Sequence, residues 1–251
     1  IISSIKNKDS KYLIISISPY TFLACVFLRL FGKIPNIYLR SNGFEEYKSI
    51  LGFIGPSIYG LMFSVCSKMS KFISCSERVL KGKKGKVVFP SQITDEWLLN
   101  PTKIKHLEKK LLYVGRLRKE KGIFSLIDII KSEKEIRLSI VGSEKFSNYK
   151  LNSENITIKP IENNLKNLIK IFDDHNIFVL PSYTEGYPMV LLESLSRLRP
   201  VIIFNEIEHV KNDMKGIYVC ERNIESVLKK INFILENYSE IVEEMKKNKI
   251  A

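Results

Sequence analysis

The sequence predicts an α/β fold with two Rossmann-like domains built on parallel sheets, the N-terminal one incomplete. In the second half of the chain, short apolar segments alternate with longer helical patterns, which is typical of parallel strands joined by right-handed crossovers. The first half shows the same alternation but lacks an opening β-α-β unit. The 251 residues suffice for one large or two modest domains.

The first half is predicted to contain four short strands and two helical regions. The strands lie at 12–18, 36–39, 72–75 and 87–89, and the helical regions at 20–31 and 45–69. A loop-like, lysine-rich stretch follows, which we interpret as a connection at about 95–109. The predicted domains are therefore 1–97 and 110–251.

The second half alternates more regularly. Its predicted strands are 111–114, 136–141, 156–158, 177–180, 201–204 and 217–219. The helices between and after them are 122–131, 165–172, 189–198 and one long amphipathic helix at 224–246.

Composition and charge bound the class of protein. An apolar share of 45% with a mean hydropathy of −0.04 is typical of an ordinary globular chain. The net charge is +13, and residues 1–100 hold 14 Lys and Arg against six Asp and Glu. Such a bias suits an anionic membrane face, a phosphate-rich substrate or nucleic acid, although lysine-rich composition alone also explains it. No nucleic-acid motif accompanies the charge, so nucleic acid is not an expected partner.

Cysteine and histidine spacing indicates neither disulfides nor a metal site. The four cysteines and three histidines are scattered, which predicts reduced thiols in a cytoplasmic protein and no metal. No signal peptide is apparent, because the chain opens Ile1-Ile2 and reaches charge by Lys6. Two uncharged stretches, 12–28 and 49–67, have about the minimum length of a membrane-spanning helix. We expect a cytoplasmic protein, with a peripheral contact on the inner face of the membrane as an open alternative.

The most informative segment runs from 181 to 193, after a fully apolar strand. It places Glu185 and Glu193 on either side of a predicted helix start, with Gly186 available for close backbone approach and Pro188 suited to the first helical position. Ligands bind at the carboxyl ends of parallel strands, and exposed helical N–H groups favour phosphate. An ordinary surface loop capped by acids explains the same residues equally well.

A second informative segment follows the strand at 111–114. Gly115 ends that strand, the cation Arg116 follows it, and Lys121 with Gly122 opens the next helix. Arginine and lysine both suit a diphosphate, although a basic loop at this point is common. Both segments follow strands of one parallel sheet, so we expect them to line the same crevice.

These motifs together resemble a known family. V-G-R-L-x-x-x-K-G at 114–122, L-S-I-V-G-S at 138–143, F-V-L-P-S-x-x-E-G-x-P-x-x-x-x-E-S at 178–194 and R-P-V-I at 199–202 are similar to the retaining glycosyltransferases of the GT-B type. More narrowly, they resemble the group (glycosyl transferases group 1, family 4 type) that builds bacterial capsule, exopolysaccharide and lipopolysaccharide chains. The resemblance is looser over 12–95, where it rests on Ser74-Cys75-Ser76 and on Val88 to Ser91.

The resemblance implies a role for each matching residue. Arg116 and Lys121, beside Gly115, match the cations that hold the diphosphate of a nucleotide-diphosphate sugar. Glu185 matches the acid that faces the transferred sugar, and Glu193 the acid that binds the ribose hydroxyls. The segment of Gly186, Tyr187, Pro188 and Met189 matches the turn whose following amides meet the phosphate. The acceptor is then a glycan, in many relatives lipid-linked, and no cofactor or metal is implied.

The sequence departs from the family pattern in two places. Leu198 stands where the family usually has a glycine, which predicts altered packing behind the preceding helix. The family's first β-α unit, with its glycine-rich loop, is missing before Ile1. An inactive, truncated nucleotide-binding remnant therefore stays open as an alternative to an active transferase, and a basic nucleic-acid-binding module is a weaker one.

The N-terminal half offers weaker candidates. Arg40-Ser41-Asn42-Gly43 could touch acceptor or phosphate, although a plain turn is the better interpretation, and acids such as Glu45 and Glu46 ordinarily open helices. The lysine run at 81–86 could meet anionic lipid or lie in a solvated loop. An apolar stripe fits a membrane surface and core packing equally well; its members are Phe53, Ile54, Ile58, Leu61 and Met62, with Lys68 and Lys71 nearby.

Overall fold

The computed structural model describes residues 5, 7, 9–88, 93–104, 106–143 and 153–248 of the chain. Phe89, where the fourth predicted strand ends, and the Pro90-Ser91 pair lie outside these residues. Two compact units are present. The first consists of Ile1–Pro90 with Thr184–Tyr187, and the second of Ser91–Tyr183 with Pro188–Ala251.

The first unit is built on a four-stranded parallel sheet in chain order. Its strands are β1 (Leu13–Ile15), β2 (Asn36–Leu39), β3 (Lys71–Ser74) and β4 (Gly85–Val87). Helix α1 (Pro19–Leu30) follows β1 and begins with a capping box between Ser18 and Thr21. One face of the sheet is apolar and buried, whereas Leu13 and Ile15 point outward from β1 and are exposed. The core of this unit therefore lies on the buried face.

The predicted helical region 45–69 is two helices that fold back on each other. Helix α2 (Gly43–Leu51) ends at Gly52, whose φ of +65° is a left-handed conformation that glycine adopts without strain. A short 3-10 turn (Gly52–Ile54) leads into α3 (Gly55–Met69). Aromatic pairs close the hairpin, with ring centroids 4.8 Å apart for Phe44 and Tyr59 and 5.1 Å apart for Tyr47 and Tyr59. Pattern alone did not reveal the reversal.

The hairpin also contains the most apolar helical run among the described residues. By length and composition, Gly43–Met69 could cross a membrane, with a mean hydropathy of 1.6. In the structure this run is broken, and α3 has 15 residues. At 1.5 Å per residue α3 is roughly 22 Å long, shorter than the roughly 30 Å hydrocarbon core of a bilayer. The hairpin is therefore not one straight spanning helix.

The exposed apolar stripe predicted on this hairpin is largely present. Phe53, Ile54, Ile58 and Leu61 are exposed, with Phe53 at 90%, whereas the prediction for Met62 is wrong, because Met62 packs into the core. The short helix α4 (Glu77–Leu80) precedes the lysine run, which lies in an exposed turn and in β4.

The second unit is built on a six-stranded, fully parallel sheet. Its strands in chain order are β5 (Lys110–Val114), β6 (Arg137–Ser143), β7 (Ile156–Pro160), β8 (Ile177–Leu180), β9 (Val201–Phe204) and β10 (Ile217–Cys220). In space the order is β10-β9-β8-β5-β6-β7. All four residues of β8 and of β9 are buried, as expected for the centre of a sheet covered on both faces. The α/β class with parallel sheets is thus confirmed.

The helices of this unit lie close to their predicted positions. They are α6 (Ile123–Ile130), α7 (Leu165–Asp173), α8 (Met189–Ser196), α9 (Ile224–Glu236) and α10 (Tyr238–Met245). The single helix predicted at 224–246 is interrupted at Asn237, which ends α9 and begins α10. The 3-10 segment Asn205–Lys211 after β9 was not predicted.

The predicted connection at 95–109 is counted with the second unit. Helix α5 (Asp95–Leu98) inserts Trp97, which is buried and meets Phe172 edge-on with ring centroids 5.5 Å apart. The buried Arg197 donates from Nη1 to the carbonyls of Trp97 and Leu99, each at 2.8 Å, and forms a bidentate pair with Asp173. A tryptophan anchor and charge-assisted hydrogen bonds fix this segment to the second unit.

Candidate functional site

The strand order of the second unit reverses direction at one point, between β5 and β8. The chain leaves β5 towards β6 and β7 on one side, and returns through β8 to β9 and β10 on the other. Ligands of open parallel sheets bind outside the carboxyl ends of the strands at such a point. Gly115 and Arg116 directly follow β5, and residues 181–183 directly follow β8. The two loops selected from the sequence therefore leave neighbouring strands.

The loop after β5 is held by the strand that it leaves. The Gly115 N–H donates to the Val141 carbonyl on β6 at 2.9 Å, and the buried Tyr113 donates from Oη to the Arg116 carbonyl at 2.8 Å. The Arg116 side chain is exposed. Within the described part of the chain, no carboxylate forms an ion pair with its guanidinium. A fixed backbone thus presents a cation that keeps its charge available for an anion.

Lys121 and Gly122 occupy the turn before α6. Lys121 is half-buried and ends the 3-10 turn Lys119–Lys121, and Gly122 follows with a φ of +65°. A Cβ at position 122 would stand 1.8 Å from the Pro181 carbonyl oxygen. The Tyr183 N–H donates to the Glu120 carbonyl at 3.0 Å. Glycine at 122 therefore allows the loops after β5 and β8 to pack directly together.

The Glu185 segment packs within the first compact unit. Glu185 is half-buried, and a Cβ on its neighbour Gly186 would stand 2.3 Å from the Arg40 carbonyl oxygen. Tyr187 packs against the core of the first unit, and this burial raises the pKa of its phenol. Pro188 is the cap residue of α8 rather than its first helical residue, which is Met189. Gly186 is thus required for close approach to the turn at residues 40–43.

A hydrogen-bond network that the sequence did not suggest surrounds Glu45. Thr184 donates from Oγ1 to one carboxylate oxygen at 2.7 Å, and Asn42 donates from Nδ2 to the other at 2.7 Å. The Arg78 guanidinium lies 3.4 Å from that second oxygen. Glu45 therefore fixes the residue directly before Glu185. Only tertiary structure could disclose this, because Thr184 and Glu45 lie 139 residues apart.

Glu193 lies on α8, close to Glu185 in sequence but in the other compact unit. Its side chain is half-buried, and burial raises the pKa of its carboxyl from 4.5 to about 7. Desolvation disfavours the charged form of a carboxylate unless hydrogen-bond donors stabilise it. Such a group is well suited to accept hydrogen bonds from ligand hydroxyls.

No group of three or more histidine, cysteine or acidic side chains that could hold a metal ion occurs among the residues that the structure describes. The four cysteines are all free and buried. Of the N-terminal candidates, Arg40 is exposed, whereas Asn42 is buried at the start of α2.

Comparisons with known proteins agree with this architecture. Residues 97–251 match the family model described as Glycosyl transferases group 1. An uncharacterized glycosyltransferase of Haemophilus influenzae is 30% identical over 157 residues, which cover 56% of this chain and 43% of the relative. The capsular polysaccharide biosynthesis glycosyltransferase CapM of Staphylococcus aureus is 27% identical over 165 residues, 58% of this chain and 43% of CapM. The chain thus spans less than half the length of these relatives.

A solved structure is similar over nearly the whole chain. Alr3699/HepE of Anabaena, in complex with UDP and glucose, has a TM-score of 0.71 at 11% identity, covering 97% of this chain and 73% of that one. At this identity the likeness concerns the fold alone, and it confirms the predicted GT-B fold class. Because the family model matches more than half of the sequence, the chain belongs to the glycosyl transferases group 1 family.

Proposed function

We propose that this chain transfers a sugar from a nucleotide-diphosphate sugar to a growing surface glycan, with retention of anomeric configuration and without a metal ion. The supporting observation is the packing of the loops after β5 and β8, which joins the Lys121-Gly122 turn to the segment that leads to Glu185. The names of two proteins also support it: CapM acts in capsular polysaccharide biosynthesis, and HepE was solved with UDP and glucose.

The chemistry assigns a role to each group. The bond between the anomeric carbon and the diphosphate oxygen breaks, and its electron pair leaves with the diphosphate. Arg116 and Lys121 stabilise that developing charge, which is the electrostatic contribution that a metal ion makes elsewhere. An acceptor hydroxyl attacks from the same face and passes its proton to the departing phosphate oxygen. Retention then needs no carboxylate nucleophile.

The acidic residues position the donor. Glu185 faces the transferred sugar as a positioning and electrostatic group, and Glu193 accepts hydrogen bonds from the ribose hydroxyls. The amides that follow Gly186 at the start of α8 meet the phosphate, since the N-terminus of a helix favours an anion.

The acceptor is proposed to be lipid-linked, with the α2–α3 hairpin lying on the membrane. The hairpin tip and outer face are exposed and apolar; the residues are Ile50, Leu51, Phe53, Ile54, Ile58 and Leu61. Residues 47–76 contain three lysines and no Asp or Glu, so the charge around this patch is complementary to anionic lipid.

Isothermal calorimetry of the purified chain tests the donor half of the proposal. We expect saturable binding of uridine diphosphate or guanosine diphosphate that is unchanged by an excess of EDTA. Absence of heat with both nucleotides would count against a donor site. Loss of binding in EDTA would remove the metal-independent mechanism and leave the site.

A further inference from the structure

Arg222 occupies an unusual place at the carboxyl edge of the second unit's sheet. It is the second residue after β10. Its guanidinium carbon lies 4.1 Å from the ring centroid of Tyr183 and 4.3 Å from that of Phe204. Its Nε donates to Glu206 at 2.8 Å. One planar cation therefore contacts the loops after β8 and β9 at once.

The same guanidinium reaches the loop after β5. A Cβ built on Gly122 would stand 3.1 Å from Nη1 of Arg222. The Tyr183 N–H, on the residue whose ring covers the guanidinium, donates to Glu120 of that loop at 3.0 Å. Arg222 thus packs where three strand-end loops meet, including the one that carries Arg116 and Lys121.

This arrangement is not what stability by itself favours. Nη1 and Nη2 are buried and, among the described residues, have no hydrogen-bond partner. Buried donors without acceptors destabilise a fold, and an apolar side chain of similar length often fills such a place better. What an apolar chain cannot supply is the planar cation that stacks on aromatic faces while pairing with a carboxylate.

We propose that Arg222 is a positioning residue that holds Tyr183 and the Glu120–Gly122 turn in the arrangement that receives the donor diphosphate. The proposal rests on the proposed function, because it assigns the diphosphate to this edge of the sheet. Arg222 acts through the two loops, since its own buried N–H groups are not presented to a ligand.

Three variants of the full chain test this role. Arg222→Met keeps the length of the side chain and removes the cation. Arg222→Lys keeps the charge and loses the planar stack. Arg137→Met is the matched control, because Arg137 begins β6 at the amino end of the sheet and is exposed.

Uridine diphosphate affinity, thermal midpoint and amide hydrogen exchange are measured for each variant. We expect Arg222→Met to weaken nucleotide binding about tenfold and to speed exchange of the Tyr183 and Gly122 amides, with a thermal midpoint equal to or above that of the wild type. Arg222→Lys should weaken binding by a smaller factor, and Arg137→Met should change neither binding nor exchange.

Wild-type affinity together with wild-type exchange at both amides in Arg222→Met would overturn the proposal. So would a fall in thermal midpoint that accompanies the loss of affinity in both Arg222 variants, since Arg222 would then be an ordinary structural residue. If Arg222→Met does not fold, the same measurements on Arg222→Lys decide. If the wild type binds no nucleotide, the proposed function fails, and the exchange of the two amides still tests the positioning role.

Discussion

At the residue scale, the cations and Glu185 should respond differently to removal. Arg116→Ala and Lys121→Ala each remove a charge-assisted contact to the diphosphate, so each should weaken nucleotide binding by about 1.5–3 kcal/mol. Glu185→Ala should leave nucleotide affinity nearly intact and strongly reduce sugar transfer, because its proposed contact is with the sugar. Calorimetry and a transfer assay with the same preparations separate the two effects.

The exposed Arg137 at the amino end of β6 provides a control, and Arg137→Ala should bind nucleotide like the wild type. Unchanged nucleotide affinity in both cation variants would show that the diphosphate binds elsewhere.

Glu193 should make stability depend on pH. Its pKa in the folded chain is about 7 against an ordinary value of 4.5, so the folded state binds the proton more readily. The stabilisation is complete below the unfolded pKa and is lost as the pH rises through about 7. Glu193→Gln has no charge to desolvate and should be more stable than the wild type at pH 8 by about 2–3 kcal/mol, with little difference at pH 4.5.

Urea unfolding of both proteins at the two pH values measures this. Parallel stability curves for the wild type and Glu193→Gln would show that the carboxyl titrates normally.

At the scale of elements, the end of helix α8 explains a departure that the sequence only located. Leu198 follows the helix with a φ of +55°, the left-handed conformation that suits glycine. The expected alteration in this region is thus a backbone one, because a leucine occupies a conformation that disfavours any Cβ.

The backbone effect at Leu198 can be separated from side-chain packing. Leu198→Gly and Leu198→Ala both remove the side chain, but only alanine keeps a Cβ in the left-handed conformation. The glycine variant should therefore be more stable than the alanine variant by about 1 kcal/mol, measured by denaturant unfolding. A more stable alanine variant would mean that residue 198 leaves the left-handed region in solution.

Two other elements show why helix patterns mislead at their ends. The α2–α3 hairpin and the α9–α10 pair each read as one continuous apolar pattern. In both cases a single position, Gly52 or Asn237, ends the first helix. Hydrophobic periodicity fixes which residues face a core, but a reversal between two helices preserves that periodicity.

At the scale of the whole molecule, the proposed membrane contact should depend on lipid charge and on the hairpin. We expect the chain to float with vesicles that contain phosphatidylglycerol at low salt, and to stay behind with vesicles of phosphatidylcholine alone. Phe53→Ser should reduce flotation, because Phe53 is the most exposed apolar residue of the patch.

Leu99→Ser is the matched control, since Leu99 is exposed at 61% but lies in the second unit. If the wild-type chain stayed in the soluble fraction at low salt, the membrane contact would be abandoned and the transferase proposal kept.

The sequence by itself determined the α/β class, nearly all strands of the six-stranded sheet and the family. Buried parallel strands are short, apolar and bounded by polar loops, so β8 and β9 were predicted with their observed limits. The family motifs lie in one continuous part of the chain, which the match to 97–251 covers. Such local signals survive in a single sequence.

Only the tertiary structure decided which distant residues support the candidate site. The bond from Thr184 to Glu45, the stacking of Arg222 on Tyr183 and the anchoring of Trp97 by Arg197 all join residues far apart in the chain. The raised pKa of Glu193 likewise arises from burial by surrounding groups. Contacts of this kind leave no periodic pattern, because their partners come together only when the loops at the strand ends have packed.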